Sequence, residues 1–265
     1  MPRSLRLRNQ DFNMSQSSCI AAAIQFKPEL LDVYKNLGEA VQLVYEAAAK
    51  GAAVIVLPEL CISGYAFENM SEASDCAQTR DGYQTQAFIK IAKNYNCHII
   101  LGYVELREGN LYNSAVTIGP RGIEGNVQKH NLWANDYLWA TPSEQINPYV
   151  ITRAGRLGTL ICRDAMNNYR SSYKFYNERH SFYKKGSVDT IALLTNWSGD
   201  YGYPDSCWVD LAEQTSSNVI VSNRVGKERD LTFKGGSAII DRNGRVWTNG
   251  SSFTETAVVG GLVLL

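Results

Sequence analysis

Three polar residues stand at the ends of predicted strands. Glu59 follows Pro58 in "AAVIVLPEL" (52–60), Lys129 closes "IEGNVQKH" (123–130), and Cys162 ends "GRLGTLIC" (155–162). A carboxylate at the mouth of a buried strand is partly desolvated, so its pKa rises toward that of a useful general base. A thiol carried by an apolar run into the polar stretch Arg163, Asp164, Asn167, Asn168 is either a small core residue or a presented nucleophile. Taken singly, each residue has an ordinary explanation. Strands often end in an acid, lysines favour surfaces, and a lone cysteine is more often buried and inert.

Hydrophobic periodicity supplies the elements that would position them. "CIAAAIQF" (19–26) reads as a strand. Over residues 30–50 the apolar side chains of Tyr34, Leu37, Val41, Val44 and Ala48 step by three and four, which predicts a helix ended by Gly51. The near-continuous apolar run 52–60 then reads as a strand covered on both faces. A second unit follows, with a helix over 83–95, a strand over 97–106 and a meander over 111–118 and 123–130. Residues 149–162 form a hairpin around "RAGR". Strands over 188–197 and 218–223 flank a helix over 205–217, and 235–247 is a hairpin with an Asn-Gly turn before a last strand. Tyr169, Tyr173, Tyr176, His180 and Tyr183 step by four and three on one face of a helix over 168–185, with basic residues mostly elsewhere, so a packing stripe with a solvated basic side is expected. Strands and helices alternate without repeat or linker, which means a layered α/β sandwich of mixed sheets in a single domain.

Composition narrows the function class. The 265 residues carry 26 Lys plus Arg and 26 Asp plus Glu, a balance that argues against a general binder of nucleic acid or membrane surfaces. The longest apolar runs, such as Ala257 to Leu265, are too short to span a bilayer. Residues 1–17 are basic and polar, lack the apolar core of a secretory signal, and read as a flexible extension preceding a domain over 18–265, with Met14 a possible second start. Six scattered cysteines without a CxxC pair, and only three histidines, argue against a zinc site. Reduced thiols and a cytoplasmic location follow from the missing signal.

Order and context bind the three strand-end residues together. With "AAAIQFKPELLDVYKNL", the stretches "VLPELCISGYAF", "VQKHNLW", "GRLGTLICRD" and "NRVGKERDLTFKGGSAIIDRNGRV" make the chain resemble the nitrilase superfamily of carbon–nitrogen hydrolases. The resemblance implies a four-layer αββα sandwich, a homodimer or higher homo-oligomer, and a Glu-Lys-Cys triad carried here by Glu59, Lys129 and Cys162. It implies hydrolysis of a non-peptide carbon–nitrogen bond of a small molecule (amide, N-carbamoyl amine or nitrile) through a thioester, with no metal or cofactor. An amide is favoured, because the polar residues beside Cys162 suit a substrate with hydrogen-bonding groups.

Several positions depart from the family pattern. Relatives usually place a second glutamate seven residues after the lysine, where this chain has Asp136. Arg163 stands directly after the cysteine, the Pro-Glu pair that often follows is absent, and Gln214 stands for a frequent glutamate. The paired arginines that clamp a carboxylate in N-carbamoyl amino acid hydrolases are Ala165 and Met166 here. Adjacency to the strand ends nominates Tyr65, Trp133, Arg163, Asn196 and Trp197 as substrate-binding residues, with core or dimer packing the ordinary explanation for each aromatic. A catalytically silent, nitrilase-like binding or assembly module is the alternative. A Cys–His protease would need a histidine signature that neither His130 nor His180 provides.

Overall fold

Unbroken apolar strands need cover on both faces, and two sheets packed back to back beneath amphipathic helices provide it. The structure is a computed structural model that describes residues 18–145, 148–165, 183, 185–198, 206–250 and 257–264. The N-terminal extension, Asn167, Asn168 and most of the helix expected over 168–185 lie outside the described residues.

The first sheet contains β1 (Ser18–Gln25), β2 (Val54–Val56), β3 (His98–Arg107), β4 (Asn110–Gly119), β5 (Gly122–Gln128) and β14 (Ala257–Leu264), in the order β14-β1-β2-β3-β4-β5. The second contains β6 (Val150–Thr152), β7 (Gly155–Ile161), β8 (Thr190–Thr195), β9 (Asn218–Asn223), β12 (Ala238–Ile240) and β13 (Val246–Asn249), in the order β13-β12-β9-β8-β7-β6. Each sheet is parallel at its centre, β1-β2-β3 and β7-β8-β9, and antiparallel at its flanks. A separate hairpin joins β10 (Val225–Glu228) to β11 (Leu231–Lys234).

Helices α1 (Val33–Ala49), α2 (Met70–Cys76) and α3 (Tyr83–Tyr95) precede the second sheet, and α4 (Ser206–Thr215) lies between β8 and β9 in sequence. Ala40, Val44 and Ala47 of α1 and Phe88 and Ala92 of α3 pack on Ala22, Ile24, Ile55, Ile99 and Leu101 of the first sheet. The opposite face of that sheet, with Ala21, Ala23, Val54, Val56 and Ile100, shares one core with β7, β8, β9 and β12 and with Trp208, Leu211 and Ala212 of α4. Helix, sheet, sheet and helix make the four layers expected.

The differences from expectation are local. Tyr34 is 79% exposed and stacks on Tyr83. Val44 and Ala48 of the expected stripe are buried and Leu37 and Val41 pack against the core, joined there by Val33, Ala40, Leu43 and Ala47, with Asn36 donating to the carbonyls of Glu29 and Ile62. The strand expected over 52–60 keeps ladder pairing only at Val54–Val56. Pro58 has no N–H to give a ladder, and the chain turns at Leu60, whose φ is +47°. Helix α2, capped by the side chain of Asn69, and the β10–β11 hairpin were not expected. Tyr183, from the expected aromatic stripe, is buried, and its hydroxyl bonds both the N–H and the C=O of Thr159 in β7.

One glycine sets how closely β3 can approach the turn bearing Glu59. A Cβ on Gly102 would lie 2.6 Å from the carbonyl oxygen of Pro58 and 2.7 Å from the amide nitrogen of Leu60, both backbone atoms that cannot rotate away. Gly102→Ala is therefore expected to lower the unfolding free energy by about 1–3 kcal/mol, read from the midpoint of urea denaturation. An unchanged midpoint would mean that the turn has room to retreat.

Candidate active site

Parallel strands put their C-terminal ends on one side of a sheet, and here both sheets do so at the same place. Glu59 follows β2, Lys129 follows β5, Cys162 follows β7, and Asn196 follows β8. The Lys129 ammonium lies 2.6 Å from Glu59 Oε1 and 2.7 Å from Asp136 Oδ2, and all three side chains are fully buried. Asp136 reaches the lysine from a short 3-10 turn, Ala134–Leu138. The backbone N–H of Trp133 donates to Asp136 Oδ2 at 3.0 Å, fixing the carboxylate.

Every oxygen of Glu59 has a donor. Oε1 accepts from Lys129 and from Nδ2 of Asn113 (2.8 Å), and Oε2 accepts from the backbone N–H of Asn196 (2.9 Å). The Asn196 side chain also donates to the Glu59 carbonyl at 2.9 Å. Asn113 was not singled out in the sequence. Period two places it between Leu111 and Ala115 on the core face of β4, and an amide at such a position was the available signal. The Asn113 carbonyl accepts the Lys129 N–H at 2.8 Å, so the strand that supplies the amide also registers the lysine.

Cys162 opens a 3-10 turn, Cys162–Ala165, with φ of +47°. A side chain in the left-handed region is strained, and such strain is held where the surroundings fix it. The next-but-one residue supplies part of that hold. Asp164 accepts the backbone N–H groups of His130 (3.3 Å) and Asn131 (2.8 Å), tying the turn after the cysteine to the loop after the lysine.

Burial and charge set the protonation states. Burial pushes the Cys162 thiol well above its ordinary range, the Glu59 charge pushes the same way, and Lys129 and a hydrogen bond from the Asn196 backbone only partly oppose them. Burial also raises Glu59, against the pull of Lys129 and with the push of Asp136. For Lys129 burial alone would favour the neutral amine, but Asp136 and Glu59 outweigh it and hold the ammonium well above its usual value. At neutral pH the cluster therefore has a protonated thiol, a permanent cation and a carboxylate of raised basicity.

The nominated binding residues divide into walls and core. Tyr65 is buried, its ring centroid 6.0 Å from the Lys129 nitrogen and its hydroxyl donating to the Trp133 carbonyl at 3.3 Å. Trp133 is 51% exposed, and the Arg163 guanidinium stacks over its ring at 4.2 Å. Asn196 contacts Glu59 as described. Trp197 lies in the core shared by the two sheets, edge-on to Trp208 at 5.8 Å. A clamp behind Tyr65 was not foreseen. Glu228 accepts the N–H groups of Tyr65 (2.8 Å) and Ala66 (2.7 Å), and buried Arg224 holds its other oxygen at 2.6 Å. No cluster that could hold a metal ion occurs among the described residues.

Residues 20–172 match the carbon-nitrogen hydrolase family. A nitrilase of Pyrococcus abyssi is 31% identical over 235 residues, covering 88% of this chain and 86% of its own. A protein N-terminal amidase of Schizosaccharomyces pombe is 27% identical, covering 82% of this chain and 89% of its own. The solved amidase from Nesterenkonia sp. has the same fold, with a TM-score of 0.76 at 18% identity over 94% of this chain and 90% of that one.

The charge count of the cluster, two carboxylates to one ammonium, makes its members unequal. Lys129→Met removes the only cation between Glu59 and Asp136 and is expected to cost about 3–5 kcal/mol of stability. Asp136→Asn removes the excess negative charge and should cost much less. Parallel chemical denaturation of the two variants measures the difference, and equal losses would contradict this account of the charge balance.

Proposed function

The chain belongs to the carbon–nitrogen hydrolase family, and on that footing we propose that it is a cysteine-dependent amidase acting on a small molecule through a thioester. The observation that carries the reading is the buried group in which Lys129 is held 2.6 Å from Glu59 beside the thiol of Cys162.

The chemistry follows from the protonation states. A thiol that is un-ionised at rest needs a base at the moment of attack. Glu59 takes its proton as the sulfur adds to the carbonyl carbon. Lys129 cannot act as the acid or base, because its neighbours keep it charged. It stabilises the developing oxyanion instead, together with the backbone N–H that follows Cys162. Collapse of the adduct breaks the C–N bond, and the leaving nitrogen takes the proton from Glu59. Water then gives a proton to Glu59 and attacks the thioester, releasing the acid and returning the proton to sulfur. Asp136 orients Lys129, and Tyr65, Trp133, Arg163 and Asn196 shape the cavity around the substrate. Trp197 supports the strand end from behind. Neither a metal nor an organic cofactor is required by these steps. The reading includes a homodimer or larger homo-oligomer, and it keeps an N-carbamoyl amine or a nitrile as less favoured substrates. An amide is favoured because a hydrogen-bonding group suits the polar wall better than a small apolar nitrile.

Incubation with small amides should release ammonia and leave a mass increment on Cys162 equal to the acyl group. Cys162→Ala and Glu59→Gln should each lower kcat at least ~10³-fold while retaining the fold by circular dichroism. Full turnover in Cys162→Ala would sink the proposed nucleophile.

The pH profile tests the base. Glu59 works only as a carboxylate, and burial raises its pKa, so kcat/KM should fall with acid below a limb that lies above the ordinary glutamate value of about 4.3. The Asp136 charge contributes to that rise. Asp136→Asn should accordingly move the limb to lower pH, as read from kcat/KM profiles of both proteins. A limb that stayed in place would exclude coupling between the two carboxylates.

A further inference from the structure

We infer that Asn113 is a positioning residue for the proton transfer: it closes Oε1 of Glu59, so that the proton of Cys162 goes to Oε2. This rests on the hydrolase reading above and adds to it the atom that acts as the base.

An ionised carboxylate offers about four lone-pair sites, two on each oxygen. Among the described residues, Glu59 Oε1 takes two donors, the Lys129 ammonium at 2.6 Å and Asn113 Nδ2 at 2.8 Å. Oε2 takes one, the backbone N–H of Asn196 at 2.9 Å. The site left open is therefore on Oε2. The Asn196 backbone also hydrogen-bonds the Cys162 sulfur. The open oxygen is thus the one that shares a donor with the thiol.

Asn113 is held where it can act in this way. Its backbone pairs with Val104 of β3 on one side, and its carbonyl accepts the Lys129 N–H on the other. Its side chain is buried, and Nδ2 faces both acids, with Asp136 Oδ1 at 3.4 Å. Turning the amide over would set its oxygen against two carboxylates. That oxygen meets no donor among the described residues, so the donors are what this side chain contributes.

The transfer is then fixed atom by atom. The S–H electron pair stays with sulfur, which supplies the new S–C bond. The carbonyl π pair moves to oxygen, and the proton passes to Glu59 Oε2. Oε1 becomes the carbonyl oxygen of the neutral acid and keeps both Lys129 and Asn113. A proton on Oε1 would instead push one of these buried donors off its acceptor, which is the costly outcome. When the adduct collapses, the C–N electron pair goes to nitrogen and the proton on Oε2 follows it.

The charged and titratable groups facing Glu59 are Lys129 after β5, Asp136 on the 3-10 turn, Cys162 after β7 and Tyr65 beyond the turn after β2. Burial and the Asp136 charge raise the Glu59 pKa, while Lys129 and the Asn113 hydrogen bond oppose them. Loss of the Asn113 donor therefore raises it further, and the carboxylate form is lost at a higher pH.

Neutron diffraction on wild-type crystals locates the proton directly. The crystals are held at a pD where the infrared difference against Glu59→Gln shows Glu59 protonated. The deuteron is expected on Oε2, and a deuteron on Oε1 overturns the inference without any variant. Asn113→Leu keeps the size of the side chain and removes its donors, and Asn113→Ser returns a shorter donor. With ammonia release from small amides as the readout, Asn113→Leu should lower kcat about 10- to 100-fold and change KM less than about three-fold. It should also move the acid limb of kcat/KM to higher pH, opposite in sign to Asp136→Asn. Asn113→Ser should recover part of both effects. A role in packing alone would lower the urea midpoint and leave the limb in place, and that result overturns the inference. Failure of the wild type to hydrolyse any small amide overturns the hydrolase reading instead. The infrared titration of Glu59 still decides the role of Asn113 in that case, since an unchanged titration in Asn113→Leu overturns it.

Discussion

A fully buried lysine ammonium, held between two carboxylates, is the constraint on which the rest of the structure depends. Removing such a group from solvent costs several kcal/mol unless every polar atom near it finds a partner. The partners come from separate elements. Glu59 arrives on a turn after β2, Asn113 from the middle of β4, Lys129 itself from the end of β5, Asp136 from a 3-10 turn, and the Asn196 amide from the end of β8. No two consecutive residues could satisfy this arrangement. It requires two sheets whose strand ends meet, and the back-to-back packing of β1 and β9 with their neighbours brings that about.

The same cluster governs the sulfur. Burial first, and then the Glu59 charge beside it, favour the protonated thiol at Cys162. The other five free cysteines are buried or partly buried elsewhere in the chain. Cys162 is set apart by its backbone, whose φ of +47° lies in the left-handed region.

Much of this was legible in the sequence because the relevant residues stand at strand ends. Glu59 and Cys162 each end an apolar run, Lys129 ends a predicted strand, and helix 83–95 and strand 218–223 fall where the periodicity put them. What escaped notice lacked that contrast. Asn113 sits inside a strand whose alternation looks ordinary until its face is known. Arg224 and Glu228, four apart in a charged stretch, carry no sequence signal of burial, yet both are buried. Trp197 follows Asn196 at a strand end, and only the position of α4 reveals that its ring meets Trp208. Tyr34 failed for a related reason, since an aromatic in helical step can face a neighbouring tyrosine in solvent as readily as a sheet. Sequence spacing gives the face of an element, and the identity of what covers that face is a tertiary fact.

The clamp behind Tyr65 has a consequence for how the protein comes into being. Glu228 grips amides 163 residues earlier in the chain, the Ser222 hydroxyl reaches the carbonyl of Ile24, and β1 pairs along its whole length with β14. On a ribosome the first strand is made long before its neighbour, and the turn carrying Glu59 emerges without the residues that hold it. Contacts of such long sequence separation close late and slowly. The nascent chain thus carries an uncovered sheet edge until β14 is made and an unassembled charge cluster until the end of β8 supplies the Asn196 amide. A chain cut before Glu228 would carry both Glu59 and Cys162 yet lack the clamp behind Tyr65.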